Sequence, residues 1–354
     1  CVDLFTPQEA SVLDSENFSA ASNAKHKIVA SCSNSIQSLP GGIGTTSCAT
    51  ISISSGSNIT WRDHLVGAHC TCIDACSSLL ALGSYDGTVY LYSTSPSLGW
   101  KSGLAFRSHP PFVMDGSIVR LSLKEGDKNK GSGDPSVEML VLTSHGSFSV
   151  FTVLPVPKLQ FKGTVMPAMN QMRLSASLRA NQRNNDSAMF PEVSRIVFTD
   201  SKHLLLILCH KSKSTPIGGL LQGFVYNRDM ETWIRISDGR FIFSKFFSSI
   251  PTSIMQKGLL AKVDDAVRSS SRRSSSNRHG AVSIASAAEM YYINEDDKNS
   301  LQNFATKSHC EDRLACALTL QSKADFEHWL RLYVRALALD GDTAHLRLLV
   351  DLLL

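Results

Sequence analysis

Three of the nine cysteines stand close together, in the segment His69-Cys70-Thr71-Cys72-Ile73-Asp74-Ala75-Cys76. On a regular strand Cys70, Cys72 and Cys76 would share one face, because side chains alternate with a period of two. Thiolates gathered in this way could hold zinc. However, the sequence has no second Cys-x-x-Cys and no histidine pair at zinc-finger spacing. Small buried cysteines explain the segment equally well, and we predict no metal and no cofactor.

Motifs of nucleotide, metal and nucleophile chemistry are also missing from the sequence. There is no P-loop, HExxH pair, EF-hand loop or nucleophile elbow. The Gly-rich segment 39–46 lacks the Lys-Ser/Thr ending that cradles phosphates, so a plain loop is expected there. Acidic and histidine residues show no clustering that would suit a propeller active site. We therefore predict a non-catalytic protein.

A basic low-complexity segment, VRSSSRRSSSNRH, occupies residues 267–279. Its serines and arginines bury too little apolar surface to offset ordering entropy, so disorder is expected. Ser274 and Ser275 follow two arginines and are candidate phosphorylation sites for a basic-directed kinase. The segment could also contact the DNA backbone weakly and without sequence preference. A solvated linker is the favoured interpretation.

Upstream of this segment, the dominant pattern is of short apolar runs separated by Gly, Ser, Asn and Asp, which is typical of β-strands. Residues 79–92 predict a hairpin around Asp86-Gly87, and residues 137–153 predict another around His145-Gly146. A third set of strands is predicted within 195–237. Their recurrence favours propeller blades or a related hairpin stack, with the number of blades left open. Residues 124–136 and 170–190 predict exposed connections, the second with one amphipathic turn.

Downstream, the hydrophobic period changes from two to about 3.6. Ser322 and Asp325 resemble a capping box, and a helix is expected to run from there to Asp340-Gly341. Thr343 is expected to begin a further helix, and another is predicted over 301–318, with a break near Ser308-His309. An aromatic and aliphatic stripe on the 322–340 helix usually belongs to a core, but so short a tail also predicts a partner surface. The stripe consists of Phe326, Trp329, Leu330, Tyr333 and Leu337.

Together these patterns predict a mainly β protein with a C-terminal helical tail. The expected organisation is a flexible leader (1–26), a hairpin-rich domain (27–262), a basic linker (263–284) and a helical tail (285–354). A hydrophobic fraction of 43% provides enough residues for a core, and the net charge of +4 is too small to indicate nucleic-acid binding by itself. No apolar run is long enough to span a membrane. Nine cysteines, an odd number at irregular spacing, favour free thiols in an intracellular protein.

Three stretches of the tail form a distinctive pattern, and they are 311–322 (EDRLACALTLQS), 326–330 (FEHWL) and 333–335 (YVR). In these residues the tail resembles the C-terminal region of the HIRA family of histone chaperones. Earlier landmarks agree in order, and they are Trp61-Arg62, 142–146 (LTSHG), 223–227 (GFVYN), Trp233 and Ser237-Asp238. The resemblance therefore covers about residues 55–354. Because the chain opens with Cys1 and lacks the family's N-terminal WD-repeat propeller, we expect a piece of a longer protein.

The resemblance implies a nuclear scaffold within a complex that deposits histones H3 and H4 independently of DNA replication. It implies self-association into a homo-oligomer, a trimer in that family, and docking of a helical-repeat subunit of the calcineurin-binding type. Histones would be reached through the complex, and no membrane contact is implied. The alternative is a module that binds histones or DNA through the basic linker and the 170–190 connection, in chromatin-based transcriptional regulation and repression. A transport-coat scaffold also joins propellers to helices, but the tail motif disfavours it.

One departure from the family pattern bears on self-association. Relatives tend to carry Trp-Asp where this chain has Phe151-Thr152. If that pair holds the oligomer in relatives, the contact does not transfer residue by residue. The predicted partner and oligomer surface therefore combines Phe151 with four residues of the tail stripe, namely Phe326, Trp329, Leu330 and Tyr333.

Overall fold

The computed structural model describes residues 12–13, 28–38, 41, 44–55, 58–94, 105–125, 136–154, 156–180, 191–198, 203–210, 221–237, 244–246, 260 and 295–353. The chain divides into two compact units, Cys1–Met166 and Pro167–Leu354. In the described residues, each sheet is antiparallel and joins strands in chain order, apart from one strand added to the second sheet. None of the described helices is long and apolar enough to cross a membrane.

The first unit contains three sheets. Sheet 1 consists of β1 (Val12–Leu13), β2 (Ile28–Ser38), β3 (Thr45–Ser55) and β4 (Asn58–Val66). Sheet 2 consists of β5 (Cys70–Ala75), β6 (Leu79–Ser84), β7 (Thr88–Thr94) and β8 (Ala105–Arg107), with β9 (Phe112–Val113) also paired to β7. Sheet 3 consists of β10 (Ile118–Glu125), β11 (Val137–Thr143), β12 (Ser147–Leu154) and β13 (Lys158–Thr164).

Both hairpins predicted in this unit are present. Gly87 and Gly146 have φ angles of +85° and +81° in the turns before β7 and β12. This left-handed region strains residues that carry a Cβ, so glycine fixes both turns. Fold prediction and structure agree that the chain is mainly β with C-terminal helices.

Sheet 2 packs between sheets 1 and 3, and β6 is the clearest sign of this arrangement. All six residues of β6 are buried. Leu80 and Leu82 join a core with sheet 1, whereas Leu79 and Ala81 join a core with sheet 3. Alternation with a period of two therefore supplies both cores from one strand. Stacked meander sheets of this kind are the unit from which propellers are built.

Polar side chains also join neighbouring sheets of the first unit. The Tyr92 hydroxyl donates to Asp63 Oδ2 at 2.7 Å, which links sheet 2 to sheet 1. Asp74 Oδ2 accepts from the backbone N–H of Leu123 at 2.6 Å, which links sheet 2 to sheet 3. Each bond satisfies a partly buried polar group. Leaving such a group unpaired would cost about 1–3 kcal/mol.

The second unit combines one sheet with helices. Sheet 4 consists of β14 (Pro191–Phe198), β15 (Leu204–His210), β16 (Leu221–Asn227) and β17 (Thr232–Ser237), and its strands match the third predicted set. Helix α1 (Met166–Ala180) begins at the boundary between the units. The helical cap is α2 (Glu295–Thr319), α3 (Lys323–Asp340) and α4 (Thr343–Leu353). Sheet 4 and the cap share one hydrophobic core, which includes Leu205, Val225, Leu314, Trp329 and Leu337.

Several segments differ from their predicted organisation. The unit boundary lies at Met166 rather than in the basic linker, because sheet 4 buries apolar side chains against the cap. Val12–Leu13 of the leader pairs with β2. Residues 170–180 of the predicted connection belong to the regular helix α1, whose first N–H donates to Thr164 Oγ1. Helix α2 continues through Ser308-His309 without a break. Residues 126–135, 181–190 and 261–294, with the basic linker, lie outside the described residues.

Candidate functional site

The cap is held together by two tight helix ends. After α2, the N–H groups of Gln321 and Ser322 donate to the carbonyls of Leu318 and Ala317 at 3.0 and 2.9 Å. After α3, Gly341 and Asp342 repeat this pattern with Ala338 and Leu337 at 3.3 and 3.0 Å. Both are Schellman motifs, in which the residue after the helix adopts the left-handed conformation. Gly341 suits that position, with φ +70°, whereas Gln321 occupies it with φ +52° despite its Cβ.

The predicted capping residue Ser322 acts in a different way from a capping box. It is the N-cap of α3, but its hydroxyl makes no bond to a backbone N–H. Instead, the hydroxyl donates to Asp325 Oδ2 at 2.6 Å. The same carboxylate oxygen accepts from the backbone N–H of Leu260 at 3.2 Å. Asp325 is buried, and its hydrogen bonds tie the residue at position 260 to the start of α3.

A buried polar group lies between α2 and α3. His309 and Arg313, four residues apart on α2, are fully buried beside Trp329 of α3. Arg313 Nε donates to His309 Nε2 at 3.3 Å, and His309 Nδ1 is 3.0 Å from the hydroxyl of Ser244. The Arg313 guanidinium carbon is 5.4 Å from the centroid of the Trp329 ring, a cation–π arrangement. Burial, and then the charge of Arg313, hold the pKa of His309 well below its usual range.

Ion pairs close the far end of the cap. Lys307 Nζ of α2 lies 2.5 Å from Asp340 Oδ2 and 2.8 Å from Asp342 Oδ2. His345 Nδ1 of α4 lies 2.8 Å from the same Asp342 oxygen. The carboxylates raise the pKa of Lys307, and hydrogen bonds from Lys307 and His345 lower the pKa of Asp342. These side chains fix α2, the α3–α4 turn and α4 relative to one another.

The residues predicted as a partner surface are divided by the fold. Trp329 and Tyr333 are buried in the core of the cap, where the Tyr333 hydroxyl donates to Glu311 Oε1 at 2.6 Å. Phe326 and Leu330 pack against that core but keep part of their surface exposed. Phe151 lies on β12 in the first unit and stacks on Phe112, with ring centroids 5.8 Å apart. Only the half-buried members could contact a partner in this conformation.

Other apolar side chains of the cap face solvent. Phe304 is 69% exposed and Leu339 is 74% exposed, although large apolar residues of helices usually face a core. The helical pattern over 301–318 includes Phe304 and Leu318 but does not distinguish exposed from buried positions. The exposed apolar residues of the cap are Leu301, Phe304, Leu318, Val334, Leu339, Leu348 and Val350.

The cysteine-rich segment does not gather its thiols on one face. Cys70 pairs with Ser84 and Cys72 with the adjacent Gly83, so Thr71 is an extra residue in β5. This β-bulge reverses the alternation of side chains. As a result, Cys70 packs towards sheet 1, whereas Cys72 and Cys76 pack into the core with sheet 3. In the part of the chain that the structure describes, no group of three or more metal-ligating side chains occurs.

The remaining predicted features have no structural account. Ser274 and Ser275 fall outside the described residues. Of the Gly-rich segment 39–46, residues 41 and 44–46 are described, the last two as the start of β3.

Comparison with known proteins finds a similar family for the cap. Residues 220–353 match the family model Hira, described as TUP1-like enhancer of split. The matched range runs from β16 and β17 of sheet 4 to the last residue of α4, and so contains the cap. Over these residues the chain is similar to the HIRA family. We name residues 220–353 the Hira domain.

Individual relatives are similar to parts of the chain. Protein HIRA of Mus musculus and of Homo sapiens are each 27% identical to the chain over 139 residues. That alignment covers 37% of this chain and 12% of each relative, so the chain spans about an eighth of the curated proteins it matches. A crystal structure of HIRA(644-1017) is similar at 17% identity and a TM-score of 0.43, covering 97% of this chain and 80% of that chain.

Sequence reasoning missed the buried His309–Arg313 pair of the Hira domain. A usable signal was present, because His309, Arg313 and Ala317 recur at intervals of four among buried residues of α2. Polar side chains at such positions indicate an internal hydrogen-bonded group rather than a helix break.

Proposed function

We propose that this chain is a non-catalytic scaffold in a nuclear histone chaperone complex, which deposits histones H3 and H4 independently of DNA replication. Its two roles are docking of a helical-repeat subunit of the calcineurin-binding type and self-association into a homo-oligomer. The single observation that carries the proposal is the match of residues 220–353 to the Hira family. Histones reach the complex through other subunits in this account.

The architecture of the Hira domain supports the docking role. A stable platform needs a fixed internal frame, and the His309–Arg313–Trp329 group and the Lys307 ion pairs provide one. A docking platform also needs apolar surface that the chain does not cover itself. The cap retains such surface at Phe304, Leu339 and Leu348. Docked helices commonly insert apolar side chains between such residues.

Two substitutions test the docking role. Phe304→Glu and Leu339→Glu place a charge at exposed positions of the cap, where the fold has little to lose. Each is expected to weaken binding of the helical-repeat subunit about tenfold or more, measured by isothermal titration of the purified chain. Ile36→Glu is the matched control, because Ile36 is 77% exposed in the first unit.

Two results would overturn the docking role. The wild-type chain could fail to bind the helical-repeat subunit in the titration. Alternatively, both cap variants could bind as tightly as Ile36→Glu, which would place the contact outside the exposed cap residues. Direct binding of H3–H4 or DNA by the isolated chain, lost on deletion of residues 267–279, would instead favour a basic binding module.

Self-association is proposed at the β12–β13 edge of sheet 3. Strand β13 is the last strand of that sheet, and Leu159 lies opposite Phe151 across β12–β13 with much of its side chain exposed. An edge strand with apolar side chains is suited to pairing with another chain. Leu159→Glu is expected to reduce the assembled mass towards that of one chain. An unchanged mass would move the proposed contact elsewhere.

A further inference from the structure

The bulge in β5 brings two cysteines from different sheets together. Because Thr71 is the extra residue, Cys70 turns towards sheet 1 while Cys72 turns towards sheet 3. The Thr71 hydroxyl is held between two carbonyls, at 3.1 Å from that of Gly83 and in a short contact with that of Ile118. The direction of Cys70 is therefore fixed by contacts of the bulge itself.

Asn34 of β2 anchors Cys70 to sheet 1. Its side-chain Nδ2 donates to the Cys70 carbonyl at 2.7 Å, and its Oδ1 accepts from the Cys70 N–H at 2.8 Å. Cys32 lies two residues before Asn34 on β2 and so faces the same side of the strand. Cys32 and Cys70 both pack against the core that sheets 1 and 2 share, and the Cys70 thiol donates to the Cys72 carbonyl at 3.3 Å. Both are free and only half-buried, which leaves them accessible to small oxidants.

The electrostatics of the pair separate the roles of the two sulfurs. The neighbouring Cys70 thiol lowers the pKa of Cys32 despite its burial. Cys32, burial and the nearby Cys72 raise the pKa of Cys70. A thiolate is the nucleophile in disulfide exchange, so Cys32 is the sulfur suited to attack first. Burial raises the pKa of Cys72 to about 12 and of Cys76 to about 11, which disfavours their thiolates.

We propose that Cys32 and Cys70 form a reversible disulfide that joins sheet 1 to sheet 2. With oxidised glutathione as the oxidant, the Cys32 thiolate attacks one glutathione sulfur and releases one glutathione thiolate. Cys70 then loses its proton to that thiolate and attacks the Cys32 sulfur of the mixed disulfide. The second glutathione leaves as a thiolate and takes the proton that Cys32 lost to solvent. Two protein thiols are thus oxidised, and one oxidised glutathione is reduced to two thiols.

The disulfide would act on the stability of the first unit. It would close a loop through β2, β3 and β4 and the start of β5, which restricts the unfolded chain. The folded state already holds these strands together through Asn34, so the cross-link would change little there. An oxidised chain should therefore unfold at a higher denaturant concentration than the reduced chain.

Mass spectrometry of the whole purified chain in defined glutathione buffers tests the pair. After alkylation of the free thiols and digestion without reductant, we expect a peptide pair linked through Cys32 and Cys70, lighter by two hydrogen atoms. Reduction should remove the link, and its fraction should follow the glutathione ratio. Cys32→Ala and Cys70→Ala should abolish the linked pair. Cys76→Ala is the matched control, because Cys76 is a half-buried thiol of the same unit.

The peptide map of the wild-type chain decides the matter even if a variant misfolds. Separate glutathione adducts on Cys32 and Cys70 without a link would overturn the proposal. A disulfide from either residue to another cysteine, at a fraction above that of Cys32–Cys70, would do the same. An unchanged unfolding midpoint in the linked chain would refute its stabilising role.

Discussion

The guanidinium of Arg313 lies 5.4 Å above the ring of Trp329, and both side chains are fully buried between α2 and α3. His309 completes this contact, with its ring centroid 4.8 Å from that of Trp329. The group has a polar interior and an apolar surround that includes Leu314 and Leu337. Hydrogen bonds between buried polar side chains make packing specific, because few alternative arrangements provide the same partners.

Trp329→Ala should therefore destabilise the second unit strongly. Removing the indole leaves a cavity and takes the cation–π partner from Arg313, so the free energy of unfolding should fall by about 3–5 kcal/mol. Chemical denaturation followed by circular dichroism measures the change. Leu339→Ala, at an exposed position of the same helix, is the control and should change stability by less than about 0.5 kcal/mol. A loss at Trp329 as small as the control's would contradict the assigned core.

Acidification should weaken the second unit through buried histidines. The pKa of His309 is well below 6.5 in the folded state because of burial and Arg313, and burial also lowers the pKa of His203 and His328. Below about pH 6.5 the unfolded chain binds protons that the folded chain does not, so stability falls as pH falls. The denaturation midpoint should decline as the pH is lowered from about 8 to about 5.5, a range that spans the ordinary titration of histidine. His309→Asn should reduce that decline, and equal declines in both proteins would exclude His309 as a main cause.

The turn between α2 and α3 holds a residue at a position that favours glycine. Gln321 has φ +52°, and a side chain in this left-handed conformation costs roughly 1 kcal/mol. Gln321→Gly should raise the free energy of unfolding by about 0.5–1 kcal/mol, whereas Gln321→Val should lower it. Thermal unfolding of the two variants compares them directly. Destabilisation by glycine would show that the Gln321 side chain makes a contact worth more than the strain.

Close packing of sheets 2 and 3 should make Gly83 intolerant of a side chain. A Cβ at this position would lie 2.5 Å from Ile118 Cγ2 and 2.7 Å from Cys72 Sγ. Gly83→Ala should therefore cost about 1–3 kcal/mol, because a well-packed core must shift to admit the methyl group. Denaturant unfolding of the first unit measures this loss. An unchanged midpoint would contradict the close approach of β6 to β10.

Local signals explain which parts of the fold could be predicted from the sequence. Asp86-Gly87 and His145-Gly146 defined hairpins because glycine at a tight turn is a local requirement. Gly341 ended α3 for the same reason. Helix α1 carried a start signal in Pro167, which is tolerated in a first helical turn, but its polar composition obscured it.

Features that depend on distant partners were not available from the sequence. The bulge at Thr71 relies on the carbonyl of Ile118, 47 residues away, and it reversed the predicted common face of Cys70 and Cys72. In the sequence, His309 suggested a helix break. In the structure it is hydrogen-bonded to Ser244, 65 residues away, within a continuous helix. The unit boundary depended on sheet 4 sharing a core with the cap, which no local pattern encodes. Of the predicted site, only Phe326, Leu330 and Phe151 keep exposed surface.

The scaffold function is tested most directly by the mass of the purified chain in solution, alone and mixed with the helical-repeat subunit. Multi-angle light scattering after size exclusion provides both values. For the chain alone we expect the mass of two or more chains, each of 38.6 kDa, and a heavier complex in the mixture. A species of 38.6 kDa that elutes separately from the helical-repeat subunit would contradict both proposed roles.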